Sequence, residues 1–286
     1  MSGINRKGIS LKRENPSSTS SGVKNPLVLA IDIGNTGTRA GFFVGKKLIG
    51  TFRVKTETIL GQNDRADFFA ELSAELELLG KMPAQIAVSS VVPKAAKVLV
   101  PALEKTFKLP VLQVSAALKL PFKIGYKTPQ TLGADRIAFC ASAVDHRKDE
   151  AIIAIDFGTA ITYDILSADC TYLGGLILAG AGLNASALHQ HTAQLPEVQL
   201  KAGKRIIGQS TQECLENGLY WGTVAQTEAL IGKLKKEIEE TCGSLKIKVV
   251  ATGGDSRLMK KGVKKIDMQD DFAVLRGIAV IARLNR

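Results

Sequence analysis

The sequence predicts an α/β protein assembled from two similar halves, and three observations carry that prediction. The first is the apolar run Leu27-Val28-Leu29-Ala30-Ile31-Asp32-Ile33, which is followed by Gly34-Asn35-Thr36. A run so rich in branched residues reads as a strand buried on both faces. The second is its echo, Ile152-Ile153-Ala154-Ile155-Asp156-Phe157-Gly158-Thr159-Ala160-Ile161-Thr162, with the same Asp, spacer and Gly. The third is the alternation of strand-like and helix-like segments through the rest of the chain.

With 286 residues the chain is long enough for one large domain or two ordinary ones. Hydrophobic residues make up 45%, as in globular proteins, while aromatic residues are only 5% with a single Trp. A base-stacking platform for nucleic acid is therefore poorly provided for. The net charge of +11 points toward an anionic partner. Its distribution argues against a nucleic-acid surface. Arg6, Lys7, Lys12, Arg13 and Lys24 lie in a polar N-terminal stretch, and others fall in Lys233–Lys236 and Lys260–Lys265, which read as solvated helix faces and turns. Cys140, Cys170, Cys214 and Cys242 are widely spaced without a C-x-x-C pair, which favours reduced thiols in a cytoplasmic protein. No apolar stretch is long enough to span a membrane, and the N-terminus lacks a secretory core.

Residues 1–25 read as a disordered leader, with Pro16-Ser17-Ser18-Thr19-Ser20-Ser21-Gly22 near its end. After the first strand, Thr38–Val44 returns as a second and Leu48–Val54 as a third, an antiparallel meander. Asp67–Leu79 carries apolar residues at helical spacing and closes at Gly80. A buried strand over Gln85–Val92 ends at Pro93, a helix follows over Lys94–Phe107, then a strand over Val111–Val114. The proline-bounded segment from Pro121 to Pro129 reads as a loop feeding a helix that starts near Gly133 and runs to about Val144. The second half repeats the opening. It has strands over 151–156, Ile161–Leu166 and Cys170–Leu178, a helix over Leu183–His191, and a long helix over Thr211–Glu240 with an Ile231, Leu234, Ile238 core stripe. A strand over Lys246–Ala251 and a helix over Asp271–Leu284 complete it. Gly218 and Gly222, one turn apart, permit close backbone approach, by a packed helix or by a second copy. The expected division is a leader 1–25, an N-terminal domain 26–148 and a C-terminal domain 149–286.

Three strand ends carry the small polar and glycine residues that an anion site needs: Asp32-x-Gly34-Asn35-Thr36, Asp156-x-Gly158-Thr159 and Thr252-Gly253-Gly254-Asp255. Glycine lets backbone N–H groups approach an anion, and Asp can hold a divalent metal. In open α/β sheets ligands lie beyond the carboxyl ends of strands, so two such halves would enclose a nucleotide. Asp-x-Gly also occurs in ordinary strand connections, and it is the duplication that lifts the pattern above them. The chain has neither a P-loop nor a G-x-G-x-x-G after a strand. Gly133-Ala134-Asp135-Arg136 places a base and an anion clamp side by side at a helix start. The same residues also fit an ordinary helix N-terminus with its Arg on the solvent face. His189 and His191 lie two apart on a helix and point to different faces, which disfavours a metal pair, and Asp145-His146 reads as a solvated turn.

Taken together these motifs resemble the actin/hexokinase/Hsp70-like superfamily, with two duplicated actin-like (ribonuclease H-like) domains around a nucleotide cleft. Within it the chain is similar to type III pantothenate kinases over nearly all of residues 27–284. Asp32-Ile33-Gly34-Asn35-Thr36 matches that family's D-x-G-N-T, Gly133-Ala134-Asp135-Arg136 its G-x-D-R, and Asp156-Phe157-Gly158-Thr159-Ala160-Ile161-Thr162 its D-x-G-T-A-x-T. Gly174-Gly175-Leu176-Ile177, Thr192-Ala193-Gln194-Leu195-Pro196 and Thr252-Gly253-Gly254 follow in the family's order. One departure is Ala179-Gly180, where the family usually has Pro-Gly; the retained glycine implies a preserved turn with a softer backbone.

The resemblance implies ATP-dependent phosphorylation of pantothenate to 4′-phosphopantothenate, the first step of coenzyme A synthesis. It implies that Asp32 organises Mg²⁺, directly or through water. Ile33, Gly34, Asn35, Thr36, Gly37, Thr38 and Arg39 would cradle the phosphates, Thr159 would bond ATP, and Gly253 and Gly254 would pass close to the nucleoside. Asp135 would accept the proton of the attacking hydroxyl. Arg136 would pair with the pantothenate carboxylate, with Tyr126, Gly133, Ala134 and Thr192 as further substrate contacts. Asp156 would ligate a monovalent cation, K⁺ or NH₄⁺, and the active site would lie at a homodimer interface. The competing class is a catalytically silent nucleotide-binding regulator of the same fold. Such a protein would be expected to lose Asp32, Asp135 or Asp156, and all three are present. A different acceptor within the superfamily is disfavoured by the joint presence of Tyr126, Arg136 and Thr192.

Overall fold

The computed structural model describes residues 25–61, 65–146, 149–203, 205–243 and 246–286. The leader expected over 1–25 therefore lies outside the described residues except for Asn25, as does the side chain of His146. Strand β1 (Leu27–Ile33) pairs antiparallel with β2 (Gly37–Val44), which pairs with β3 (Lys47–Lys55). The short helix α1 (Thr56–Leu60) and α2 (Arg65–Leu79) follow. Then β4 (Gln85–Ser90) joins β1 in parallel, α3 (Pro93–Phe107) crosses over, and β5 (Val111–Gln113) extends the sheet. The resulting order is β3-β2-β1-β4-β5.

The chain next runs through β6 (Lys123–Ile124) and α4 (Ala134–Ala143) into the second half. There β7 (Ala151–Phe157), β8 (Ala160–Leu166) and β9 (Thr171–Ala179) repeat the antiparallel meander. Helices α5 (Ala181–Gln190) and α6 (Thr211–Cys242) precede β10 (Ile247–Thr252), which joins β7 in parallel. Helix α7 (Ser256–Gly262), β11 (Met268–Gln269) and α8 (Ala273–Leu284) complete the chain. The second order, β11-β10-β7-β8-β9-β6, reproduces the first with one strand added at its edge. The duplication read from the sequence is thus a duplication of topology.

Alternation along the two leading strands decides what faces what. Leu27, Leu29, Ile31 and Ile33 pack in a core with α2 and α3 on the outside of the first sheet. Val28 and Ala30 point the other way, into a layer shared with α4, α8 and the second sheet. In β7, Ile153, Ile155 and Phe157 face a core with α6, while Ile152 and Ala154 face the shared layer. Side chains two apart in a strand share a face. Asp32 and Asp156 therefore continue the inward-facing rows of Val28, Ala30 and of Ile152, Ala154. The two carboxylates are aimed between the sheets because the apolar pattern that buries the strands fixes their phase.

The shared layer is thin because its contacts are small. At Gly277 of α8 an added Cβ would stand 1.6 Å from the carbonyl oxygen of Ala138 in α4, so the two helices cross at backbone distance. Helix α6 is capped by the Ser210 hydroxyl, which accepts from the Glu213 N–H at 3.2 Å, and ends at Gly243 with φ 64°. Its Ile231, Leu234 and Ile238 are buried as the stripe predicts. Cβ atoms at Gly218 and Gly222 would meet nothing within 4 Å, so among the described residues no helix uses the space they leave. The two-residue strand β6 inside the expected loop, and the short α1, α7 and β11, are additions to the sequence reading. None has the length over which periodicity is legible.

Candidate active site

The duplicated turns meet. The β1–β2 turn is closed by the Gly34 N–H donating to the Gly37 carbonyl at 3.1 Å, and the β7–β8 turn by the Gly158 N–H donating to the Ala160 carbonyl at 3.1 Å. Their hydroxyls, Thr36 Oγ1 and Thr159 Oγ1, stand 3.2 Å apart across a cleft of about 570 Å³. Helix α1 braces the first turn, with Thr56 Oγ1 donating to the Gly34 carbonyl at 2.6 Å. Arg39 ties the halves together by donating from Nη1 to the Asp271 carbonyl at 3.2 Å.

Asp32, Asp135, Asp156, Gly34, Asn35, Thr36, Gly37, Arg39, Thr159, Gly253 and Gly254 all line this cleft. Gly253 adopts φ 99°, and a Cβ there would collide with Asp156 Oδ1 and the Phe157 carbonyl. Only glycine allows the third strand end to close against the second carboxylate. Other expected residues stand elsewhere. Ile33 is wholly in the first-sheet core. Thr38 is buried with its hydroxyl against that of Thr56 at 3.1 Å, which leaves only backbone to offer. Gly133 and Ala134 open α4 beside the cleft without lining it. Tyr126 packs edge-on to Tyr172 with ring centroids 5.7 Å apart. Thr192 is exposed beyond α5, donating to the Leu188 carbonyl at 2.7 Å.

Arg136 corrects the ordinary-helix reading. It is not on a solvent face: it is 8% exposed, and its Nε and Nη2 each lie 2.8 Å from Asp164 Oδ1. Its backbone N–H donates to Asp135 Oδ1 at 2.8 Å, which holds that carboxylate at the helix start.

The charges in the cleft are unbalanced. Burial, then the Asp135 charge, pushes Asp32 up to about 7, against a smaller opposing pull from Arg39 and Ser89. Burial, then Asp135 and Asp32, pushes Asp156 up to about 7. Asp135 is itself raised by burial against the favourable backbone N–H and charge of Arg136. The Ser89 hydroxyl, opposite Asp32 in the β1–β4 pairing, is buried without a hydrogen-bond partner yet close enough to ease that charge. Such a floor suits a cation. Among the described residues no three His, Cys, Asp or Glu side chains converge into a metal cage. That donor set fits Mg²⁺, which is commonly held by one or two carboxylates, water and substrate phosphates. His189 bonds the Leu195 carbonyl through Nδ1 at 2.8 Å, and none of the four cysteines is in a disulfide.

Sequence reasoning passed over Arg53 and Asp164. Arg53 lies opposite Arg39 in the β2–β3 pairing, lines the cleft and sits against Gly37, where a Cβ would come within 2.6 Å of its Nε. The meander itself was the available signal, because pairing register places one Arg beside the other. Asp164 is a carboxylate with zero exposure amid the apolar residues of β8, and an Asp in such a strand is an anomaly readable from sequence.

A family model described as type III pantothenate kinase matches residues 28–233. The chain belongs to the type III pantothenate kinase family. Curated relatives carrying the name type III pantothenate kinase include one from Chlorobaculum parvum, 41% identical over 257 residues, covering 90% of this chain and 94% of the relative. Another, from Chlorobaculum tepidum, is 37% identical over 266 residues, covering 91% and 95%. A solved structure from Sinorhizobium meliloti, assigned as a 2-dehydro-3-deoxygalactonokinase, aligns at TM-score 0.53 and 13% identity over 90% of this chain and 98% of its own. That likeness speaks to the fold, and it bears out the two actin-like units. Family membership makes this chain a kinase that uses ATP and a divalent metal. The family's usual Pro-Gly is here Ala179-Gly180. Gly180 is extended at φ −70°, and a Cβ would stand 2.3 Å from the Gly158 carbonyl. The glycine is kept for close approach to the second turn and not for the turn of its own expected from sequence.

Proposed function

We propose that the chain transfers the γ-phosphoryl group of ATP to the primary hydroxyl of pantothenate, giving 4′-phosphopantothenate at the entry to coenzyme A synthesis. The observation that carries this reading is the arrival of Asp135, on the first turn of α4, in the same cleft as both glycine turns. Phosphoryl transfer asks mainly for positioning and charge neutralisation. In this reading the backbone of residues 33–39 and Thr159 seat the phosphates, Arg39 offsets their charge, and Gly253 and Gly254 leave room for the nucleoside. Asp135, with its proton affinity raised by burial, takes the proton of the attacking hydroxyl. Arg136 receives the substrate carboxylate, with Tyr126, Gly133, Ala134 and Thr192 around it. Asp32 would hold Mg²⁺, directly or through water, and the bound ion would supply charge neutralisation at the phosphates.

Asp156 is assigned to a monovalent cation, K⁺ or NH₄⁺, supported by its burial beside a second carboxylate. A homodimer is supported by apolar residues left in solvent on β9 and α5: Leu173, Ile177, Leu183 and Leu188 are 39%, 65%, 48% and 40% exposed. Among the described residues no helix is long and apolar enough to cross a membrane, and cysteines outside any disulfide suit the cytoplasm. We divide the chain at 26–148 and 149–286, after the leader 1–25, while β6 and α8 cross that line to pack on the opposite sheet.

The test is a coupled ADP-release assay with pantothenate, ATP, Mg²⁺ and K⁺. Turnover that depends on pantothenate is expected; its absence under those conditions rejects the reading.

A further inference from the structure

The buried carboxylate of Asp164 has no place in the mechanism above, yet more side chains converge on it than on any cleft carboxylate. Its Oδ1 accepts from Arg136 Nε at 2.8 Å and from the Tyr172 hydroxyl at 2.9 Å, and lies 2.8 Å from Arg136 Nη2. Its Oδ2 accepts from Thr162 Oγ1 at 3.4 Å. Asp164 and Tyr172 are wholly buried and Arg136 nearly so. Tyr172 in turn carries the ring of Tyr126 against its edge. Three elements, α4, β8 and β9, thus hang their polar side chains on one carboxylate.

Resting on the assignment of Arg136 as the carboxylate clamp, we propose that Asp164 is a positioning residue for acceptor recognition. It fixes the Arg136 guanidinium in one orientation and, through Tyr172, fixes the wall that Tyr126 provides. Two physical points favour this over a simple stabilising ion pair. First, Nε and Nη2 both turn toward Asp164, so the two nitrogens on one edge of the fork are spent on the protein and the guanidinium has one remaining way to face a ligand. Second, a buried ion pair adds little net stability against a well-packed apolar pair, because desolvation offsets the attraction. An orienting role accounts for such a pair where stability alone does not. Burial raises the proton affinity of Asp164 while Arg136 and the Tyr172 hydroxyl lower it, and the observed geometry is that of the ionised pair. The consequence concerns specificity. Recognition of the acceptor's carboxylate is by oriented N–H groups, since the Arg136 charge is already matched inside the protein.

The probes are pantothenate and pantothenol, the same acceptor with a primary alcohol replacing the carboxylate. The quantity read is the ratio of their kcat/KM values, measured for the wild type, Asp164→Asn and Tyr172→Phe. In the wild type pantothenate is expected to be preferred. Asp164→Asn keeps the volume but removes the charged acceptor, and about a tenfold or greater loss of that preference is expected, with KM for pantothenate rising and KM for ATP unchanged. Tyr172→Phe, which removes one hydrogen bond and should fold, shifts the ratio in the same direction by less. If both acceptors lose rate in equal proportion while Tm falls, the role is structural and the proposal is overturned. Tighter pantothenate binding in Asp164→Asn overturns it as well, since it would mean that Asp164 restrains Arg136 by charge. Wild-type turnover of pantothenate without any preference over pantothenol removes the clamp and this proposal together, yet leaves the kinase reading standing.

Discussion

At the scale of single residues the cleft is organised around carboxylates that the fold makes costly to ionise. Folding raises Asp32 from 3.8 to about 7, chiefly by burial. A group whose proton affinity rises on folding favours the folded state only while protonated. The penalty is absent below about pH 3.8, grows through the interval and is complete above about 7. Asp156 behaves in the same way. The protein without nucleotide or metal is therefore expected to melt higher at pH 6 than at pH 8, and Asp32→Asn to raise Tm at pH 8 while abolishing turnover. Calorimetric scans at the two pH values check this, and a variant that melts lower than wild type at pH 8 would contradict it. For Asp135→Asn the expectation differs: kcat falls by about 10²–10⁴-fold, and ATP binding by titration stays within a few-fold. Near-normal kcat would take the base role away from Asp135. These residues were legible because each follows an apolar strand or opens a helix, where a polar residue stands out. Arg53 and Asp164 were less so. The first needs the register of a hairpin to bring it beside Arg39, and the second needs the β8 and β9 pairing that delivers Tyr172.

At the scale of elements, the placement of Asp135 depends on how closely α4 can approach α8. The approach is set by Gly277, whose missing side chain admits the Ala138 carbonyl. A methyl group at this point has no flexible neighbour to displace, only backbone, so the helices must part. Gly277→Ala is expected to cost about 1–3 kcal/mol, as overpacking does, and to lower kcat more than it raises KM for ATP, because α4 carries Asp135 and the nucleotide turns lie on other elements. Denaturant unfolding and steady-state kinetics check the two halves of this expectation; a stable variant with wild-type kcat would show that the crossing does not position Asp135. The sequence foresaw both helices. It could not foresee the crossing, since a glycine inside a helix reads the same whether it meets solvent, as Gly218 and Gly222 do, or a carbonyl oxygen. Gly180 makes the same point: a motif glycine kept for contact with a neighbouring turn looks in sequence like one kept for its own.

At the scale of the whole molecule, duplication explains why one cleft suffices. Each sheet contributes a strand whose inward row ends in an Asp and whose turn ends in a Thr, and the shared helical layer brings Asp135 to the seam. The copies have diverged at their edges. The second sheet carries β6 outside β9, and β9 leaves Leu173 and Ile177 in solvent. Leu183 and Leu188 on α5 are likewise in solvent, Leu183 at the edge of the cleft, and among the described residues these four large apolar side chains are left exposed. A second copy seated there would bury them, and it would bring a further set of contacts near Thr192, which stands outside the cleft of its own chain. Ile177→Glu places a charge on β9 at a position that does not itself line the cleft, although its partner across the sheet, Thr162, does, and burying that charge would cost several kcal/mol unpaired. The variant is expected to elute as a monomer in light-scattering chromatography, to retain Mg·ATP binding, and to lose most pantothenate turnover. A monomer with wild-type kcat/KM would mean that each chain completes its own acceptor site. A dimer that survives the substitution would place the interface elsewhere on the surface.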